Sequence, residues 1–147
     1  MKKGGIEVIG LEDVEKVLTD IAPRHARNLM RSTVQGIAST TAKDARQRAP
    51  KVSGTLRKAI KARRRKSPPD HPRSEVYVEH GKGAKNDAFY WRFVERGTLK
   101  GHKEQPFMRP ALDQTNSRLV PMLREEFGKK LERALARERK KSARGFR

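Results

Sequence analysis

The sequence predicts an α+β domain: a small antiparallel sheet packed against a long N-terminal helix and a C-terminal helix. Three observations predict it. Ala26, Met30, Val34, Ile37, Thr41 and Ala45 recur at steps of three or four residues, which is one face of a helix running from Pro23 to Arg48. IKARRRK (residues 60–66) and SEVYVEH (74–80) read as strands joined by SPPDHPR, whose three prolines exclude both helix and central strand. Leu112, Asn116, Leu119, Leu123, Phe127, Leu131 and Leu135 trace a second long amphipathic helix.

Taken in order, Ile6, Val8 and Ile9 form a short extended segment closed by Gly10. A helix follows from about Leu11, with Leu11, Val14 and Leu18 on its apolar face and Glu12 and Asp13 in the turn where the helix dipole favours negative charge. Pro23 interrupts or restarts it. The Pro23–Arg48 helix ends at Ala49-Pro50, because a residue before proline is pushed out of the α region. Ser53 is placed to cap a turn over Gly54–Ala59, with Leu56 and Ile60 pointing inward. In the first strand Lys61, Arg63 and Arg65 share one face, and Ile60, Ala62, Arg64 and Lys66 the other. In the second, Val76 and Val78 oppose Glu75, Tyr77 and Glu79, so the two glutamates can partner some of the basic residues but cannot neutralise the whole run.

HGKGAKND (80–87) is a solvated turn: its spacing is not that of a phosphate-cradling loop, and no Ser or Thr follows Lys85. The stretch from Phe89 to Ala111 holds the only Trp, one of the two Tyr and three of the five Phe, so the core should gather there. Phe89, Tyr90, Phe93 and Val94 are spaced as the inward face of a short helix that Gly97 ends. Trp91, Phe93 and Phe107 are expected in or beside the core. Pro110 suits the first position of the next helix, and Pro121 should kink or break it. Glu125–Lys129 and Glu126–Lys130 are i,i+4 pairs supporting its exposed face. Past residue 136 the apolar period is lost. The division expected is one α+β domain over residues 1–136 and a basic, flexible tail over 137–147.

The chain has 147 residues, the length of one domain with a modest core. Only 34% of residues are hydrophobic and 36% are charged, which fits a fold completed in part by neighbours. The net charge of +19 is concentrated: residues 51–66 carry eight basic residues and no acidic one, and residues 124–147 carry ten basic against four acidic. Charge of one sign held this closely calls for an anionic partner, either nucleic acid phosphates or an acidic protein surface. There is no cysteine, which removes disulfides, thiolate catalysis and cysteine-ligated zinc. No apolar run approaches the roughly 20 residues of a membrane span, and MKKGGIEVIG lacks the apolar core of a signal peptide. A soluble protein made and kept in the cytoplasm is expected.

No catalytic constellation is visible. His25, His71, His80 and His102 lack metal-ligand spacing, and there is no nucleophile elbow or dinucleotide fingerprint. Asp87, Glu95 and Glu104, with Lys85 or Lys103, have no spacing that marks a magnesium-dependent nuclease rather than solvated carboxylates. Glu95 stands out for a structural reason: between an aromatic helix and Gly97-Thr98, it could cap backbone amides or pair with Arg92 or Arg109. The expectation is a non-enzyme without cofactors.

Two elements carry a family resemblance. Tyr90-x-x-x-Val94-Glu95-x-Gly97-Thr98 followed by Gln105-Pro106-Phe107-Met108-Arg109-Pro110-Ala111 resembles the signature of small tail-component proteins encoded among the head–tail junction genes of long-tailed bacteriophages. Upstream, Ala49-Pro50-x-x-Ser53-Gly54-x-Leu56-Arg57-x-x-Ile60 resembles that family's other element, in the same order and at similar spacing. The resemblance spans about residues 10 to 125. It implies a structural virion protein of the neck or tail-completion class, made in the host cytoplasm. Such a protein would join the tail to the head-side connector as a homo-oligomeric ring around the DNA channel, with other neck and tail proteins as partners. It does not extend to the basic run after Ile60 or to the basic tail. The alternative is a sequence-nonspecific nucleic-acid-binding protein. On either reading Lys61, Arg63, Arg64, Arg65, Lys66, Arg137, Arg139, Lys140 and Lys141 are the candidates to touch DNA or an acidic partner. Single-strand binders display aromatics among their basic residues, whereas these segments contain only Phe127 and Phe146.

Overall fold

The computed structural model describes residues 23–51, 54–68 and 71–144. The extended segment at Ile6–Ile9, the helix expected from Leu11 and the Ser53 cap lie outside the described residues. The element order is α1 (Pro23–Arg48), α2 (Thr55–Ala59), β1 (Ile60–Arg65), β2 (Arg73–Val78), α3 (Trp91–Arg96), α4 (Met108–Ser117) and α5 (Leu119–Arg144). The two strands form one antiparallel sheet. The α+β class is the one the sequence predicts. α1 is the central element, touching both strands as well as α4 and α5.

α1 buries a face slightly rotated from the predicted one. Leu29, Thr33, Ile37, Ala38, Thr41, Ala42 and Ala45 are buried, whereas Ala26, Met30 and Val34 are only half-buried. Thr33, which the apolar pattern passed over, joins the predicted Thr41 on this face, because a threonine hydroxyl can satisfy itself inside a helix. The Thr33 hydroxyl donates to the Leu29 carbonyl at 2.9 Å, and that of Thr41 donates to the Ile37 carbonyl at 3.0 Å. Towards its C-terminal end α1 presents Ala42 and Ala45, with Ala49 just beyond it. These small residues let Leu56, Ala59, Ile60, Val78, Ala88, Phe107 and Ala111 close around them as the core. On the other flank, a Cβ at Gly36 would come within 2.6 Å of Glu126 Oε2 and 2.9 Å of Lys130 Nζ, so glycine marks where α5 crosses closely. Lys130 also donates to the Ser32 carbonyl there.

The hairpin register pairs Ile60 with Val78, Lys61 with Tyr77, Ala62 with Val76, Arg63 with Glu75, Arg64 with Ser74 and Arg65 with Arg73. The predicted two faces hold. Ile60 and Val78 are buried and Ala62 and Val76 pack against the core, while the residues between them turn outward.

Three expectations are corrected. Phe89 and Phe93 are 66% and 58% exposed, not inward. α3 has six residues, and at about 100° per residue Phe93 falls opposite the arc of Trp91, Val94 and Glu95 that faces the core. α4 begins at Met108, so Pro110 is its third residue rather than its first. The C-terminal helical region is two helices parted at Arg118. Pro121, lacking an N–H, then sits in the first turn of α5, where no helical partner is needed. The break resets the helical phase, so Ala111 and Phe127 are buried while Leu112, Leu119 and Leu135 are exposed. α5 runs on to Arg144, and Arg137 and Lys140 lie exposed on it.

Candidate functional site

The motif-bearing stretch is built around Glu95, which is 7% exposed. Its Oε2 accepts the backbone N–H of Phe107 at 2.8 Å and of Met108 at 3.0 Å, and its Oε1 accepts that of Arg109 at 2.9 Å. The first four N–H groups of any helix lack an intrahelical acceptor. For α4 these belong to Phe107, Met108, Arg109 and Pro110. Glu95 takes the first three, and proline has no fourth to satisfy. The carboxylate also lies at the positive end of the α4 dipole. Of the two roles the sequence allowed Glu95, the structure shows the capping one. No ion pair to Arg92 or Arg109 is found among the described residues.

The intervening loop brings the two halves of this clasp together. Gly97 ends α3 at φ 72° and ψ −179°, a region that essentially only glycine occupies. The Thr98 N–H donates to the His102 carbonyl at 3.1 Å, and the Gln105 N–H donates to the Val94 carbonyl at 2.9 Å. The chain therefore returns to α3 just before Phe107, with Pro106 exposed at the join. A Cβ on Gly97 would stand 2.8 Å from the His102 carbonyl oxygen and 3.1 Å from the Glu104 nitrogen, both backbone atoms. Gly97→Ala is therefore expected to cost about 2 kcal/mol or more, from strain and overlap together, read as a lower urea midpoint at unchanged slope. Phe107 is fully buried in the core, Tyr90 and Val94 pack against it, and the Arg109 side chain is exposed.

The upstream element serves the same core. Pro50 follows α1, Gly54 precedes α2, and Leu56 is 3% exposed. Arg57 reaches back to the end of α1, donating to the Ala49 carbonyl from Nε at 2.8 Å and from a terminal nitrogen at 2.6 Å. Arg57 was legible only as a letter of the motif. What it does, capping orphan carbonyls at a helix C-terminus, follows from the fold.

The basic run divides by strand parity. On the outer face Lys61 pairs with Glu79 at 2.6 Å, and Glu75 bridges Arg63 at 2.5 Å and Arg65 at 3.2 Å. The Arg63 guanidinium lies 4.3 Å from the Tyr77 ring centroid. The hydrogen bond from Lys61, opposed by some burial, holds the Glu79 carboxyl below its ordinary value. That pair's contribution is thus present above the ordinary carboxylate pKa and is lost as pH falls through the lowered one. On the other side, Arg64 and Lys66 join Arg73 and Arg31 of α1, with Arg65 at the edge, around a cleft of about 270 Å³ at the loop end of the hairpin. Arg31 and Arg73 were not among the residues picked out in sequence, since only the register and the crossing of α1 bring them here. Arg137 and Lys140 lie on the last turns of α5; the side chains of Arg139 and Lys141 are outside the described residues.

Among the described residues no cluster of three or more His, Asp or Glu could hold a metal ion. No described helix is long and apolar enough to cross a membrane. Among the described residues the enclosed Trp91 indole N–H meets no hydrogen-bond acceptor, and its ring tilts against His80 at 6.4 Å.

Residues 12–97 match the model of a family described as "Bacteriophage HK97-gp10, putative tail-component". That match spans the upstream element and ends at Gly97. No curated protein and no solved structure matched the chain.

Proposed function

We propose, on the premise that this chain belongs to the HK97-gp10-like family of bacteriophage tail components, that it is a structural protein of the head–tail junction. In this reading it joins the tail to the head-side connector as a ring around the DNA channel. It acts by shape and contact rather than by catalysis, and it assembles in the host cytoplasm before entering the virion. The observation that carries the reading is the family match over residues 12–97. The chemistry of the motif supports it: the one carboxylate that stood out is occupied by three backbone amides, so the motif builds a fold. Exposed apolar side chains in the same stretch, Phe89, Phe93 and Leu99, suit contacts with neighbouring subunits or neck proteins. A single α+β domain extended by the basic end of α5 is the unit we propose for assembly.

The test is complementation. A phage carrying this gene with an early stop codon is expected to accumulate filled heads and separate tails, and purified protein added to that lysate should restore joined, infectious particles. Full yield of joined particles without the protein would reject the role. If the chain then still bound DNA, the alternative of a free, sequence-nonspecific nucleic-acid-binding protein would stand in its place.

A further inference from the structure

The cleft at the loop end of the hairpin gathers charge in a way the rest of the fold avoids. Arg65 and Arg73 are directly opposite in the register, an arrangement that like charges make unfavourable. Arg64, Lys66 and Arg31 surround the same space, and among the described residues no acidic one lines it. Glu75 is shared between Arg63 and Arg65 on the outer face, and among the described residues Arg31, Arg64, Lys66 and Arg73 have no ion pair. The placement is fixed by the scaffold. Ser74 Oγ lies 2.9 Å from Gln35 Oε1 of α1, and the Arg73 N–H donates to Ser67 Oγ at 3.2 Å, which anchors both strand ends beside Arg31.

We infer that this cleft binds the phosphate backbone of double-stranded DNA. Guanidinium groups present planar forks that match phosphate oxygens, and four of the five cations here are arginines. An acidic protein face would ordinarily be anchored by apolar or aromatic side chains at the centre of its contact, and among the described lining residues only Pro72 offers that. Single-stranded nucleic acid would call for a stacking platform, and no aromatic residue among those described lines the cleft. Contacts of this kind position a duplex without reading bases. The inference names the partner of the basic run. It rests on the proposed function only for duplex DNA being the polyanion at hand, and binding by the isolated chain requires no ring.

The experiment is a salt titration of the full-length chain binding a fluorescent 30-base-pair duplex of arbitrary sequence, with poly-glutamate as competitor. Arg64→Ala/Lys66→Ala/Arg73→Ala is expected to bind about tenfold or more weakly at low salt and to flatten the log K against log salt slope by about 0.9 for each phosphate no longer neutralised. Lys61→Ala/Arg63→Ala, on the neutralised outer face, should stay within about twofold of wild type, because its charges are already paired. Arg64→Lys/Arg73→Lys keeps the charge and should keep the slope, which separates electrostatics from misfolding. Wild-type affinity in the cleft triple variant, equal loss in the outer-face variant, or displacement of DNA by poly-glutamate at equal charge concentration would each overturn the assignment. DNA binding through the cleft by a chain that proved dispensable for assembly would leave this inference standing and remove the proposed function. The converse result would do the reverse.

Discussion

Glu95→Ala is expected to lower the unfolding free energy by about 3–5 kcal/mol, since each enclosed donor left without an acceptor costs about 1–3 kcal/mol. Three amides lose their acceptor at once. The Phe107 amide is fully enclosed, while those of Met108 and Arg109 can partly recover water. Glu95→Gln should lose less, because one oxygen remains, but its NH₂ must then face a backbone N–H. Urea unfolding gives the comparison, with the midpoint falling in the order wild type, glutamine, alanine. Hydrogen exchange locates the effect: the amides of Phe107–Arg109 should lose protection before those of the α1 core. An alanine variant as stable as wild type would show that the clasp is a passive contact.

Phe107→Ala is expected to be comparably damaging, at about 3–5 kcal/mol, because a fully buried phenylalanine leaves a cavity as well as losing its transfer energy. Domains of this size have only about 5–15 kcal/mol in total, so the thermal midpoint should drop by about 10–15 °C. Phe107→Leu, which refills most of the volume, should cost about 1–1.5 kcal/mol. Since Glu95 holds the Phe107 amide itself, the two alanine changes should combine to less than their sum. Full additivity would mean that the clasp and the core are independent.

What the sequence disclosed and what it withheld divide along physical lines. α1 and the hairpin were legible because their patterns are long or strictly alternating, and the face assignment of Ile60, Ala62, Val76 and Val78 held residue by residue. Helical phase over short elements was not legible. Phe93 was expected inward by hydrophobicity, yet α3 is oriented by a carboxylate, and nothing in apolar spacing announces that Glu95 belongs inside. The stripe from Leu112 to Leu135 was expected to kink or break at Pro121; the break falls three residues earlier, at Arg118, and rotates the two halves apart. In the basic run, parity correctly separated Arg63 from Arg64. That Arg63 is neutralised while Arg64 meets Arg31 and Arg73 depends on register and on α1's crossing, which are tertiary facts.

The central claim, that this chain is a tail component seated where head and tail meet, is tested most directly by locating it in purified virions. Immunogold labelling with an antibody to the exposed end of α5, together with quantitative mass spectrometry of the same particles, would do so. Label is expected at the junction between capsid and tail, with a small integer number of copies per particle that persists through density-gradient purification. Virions free of the protein, or label spread over the capsid shell, would contradict it.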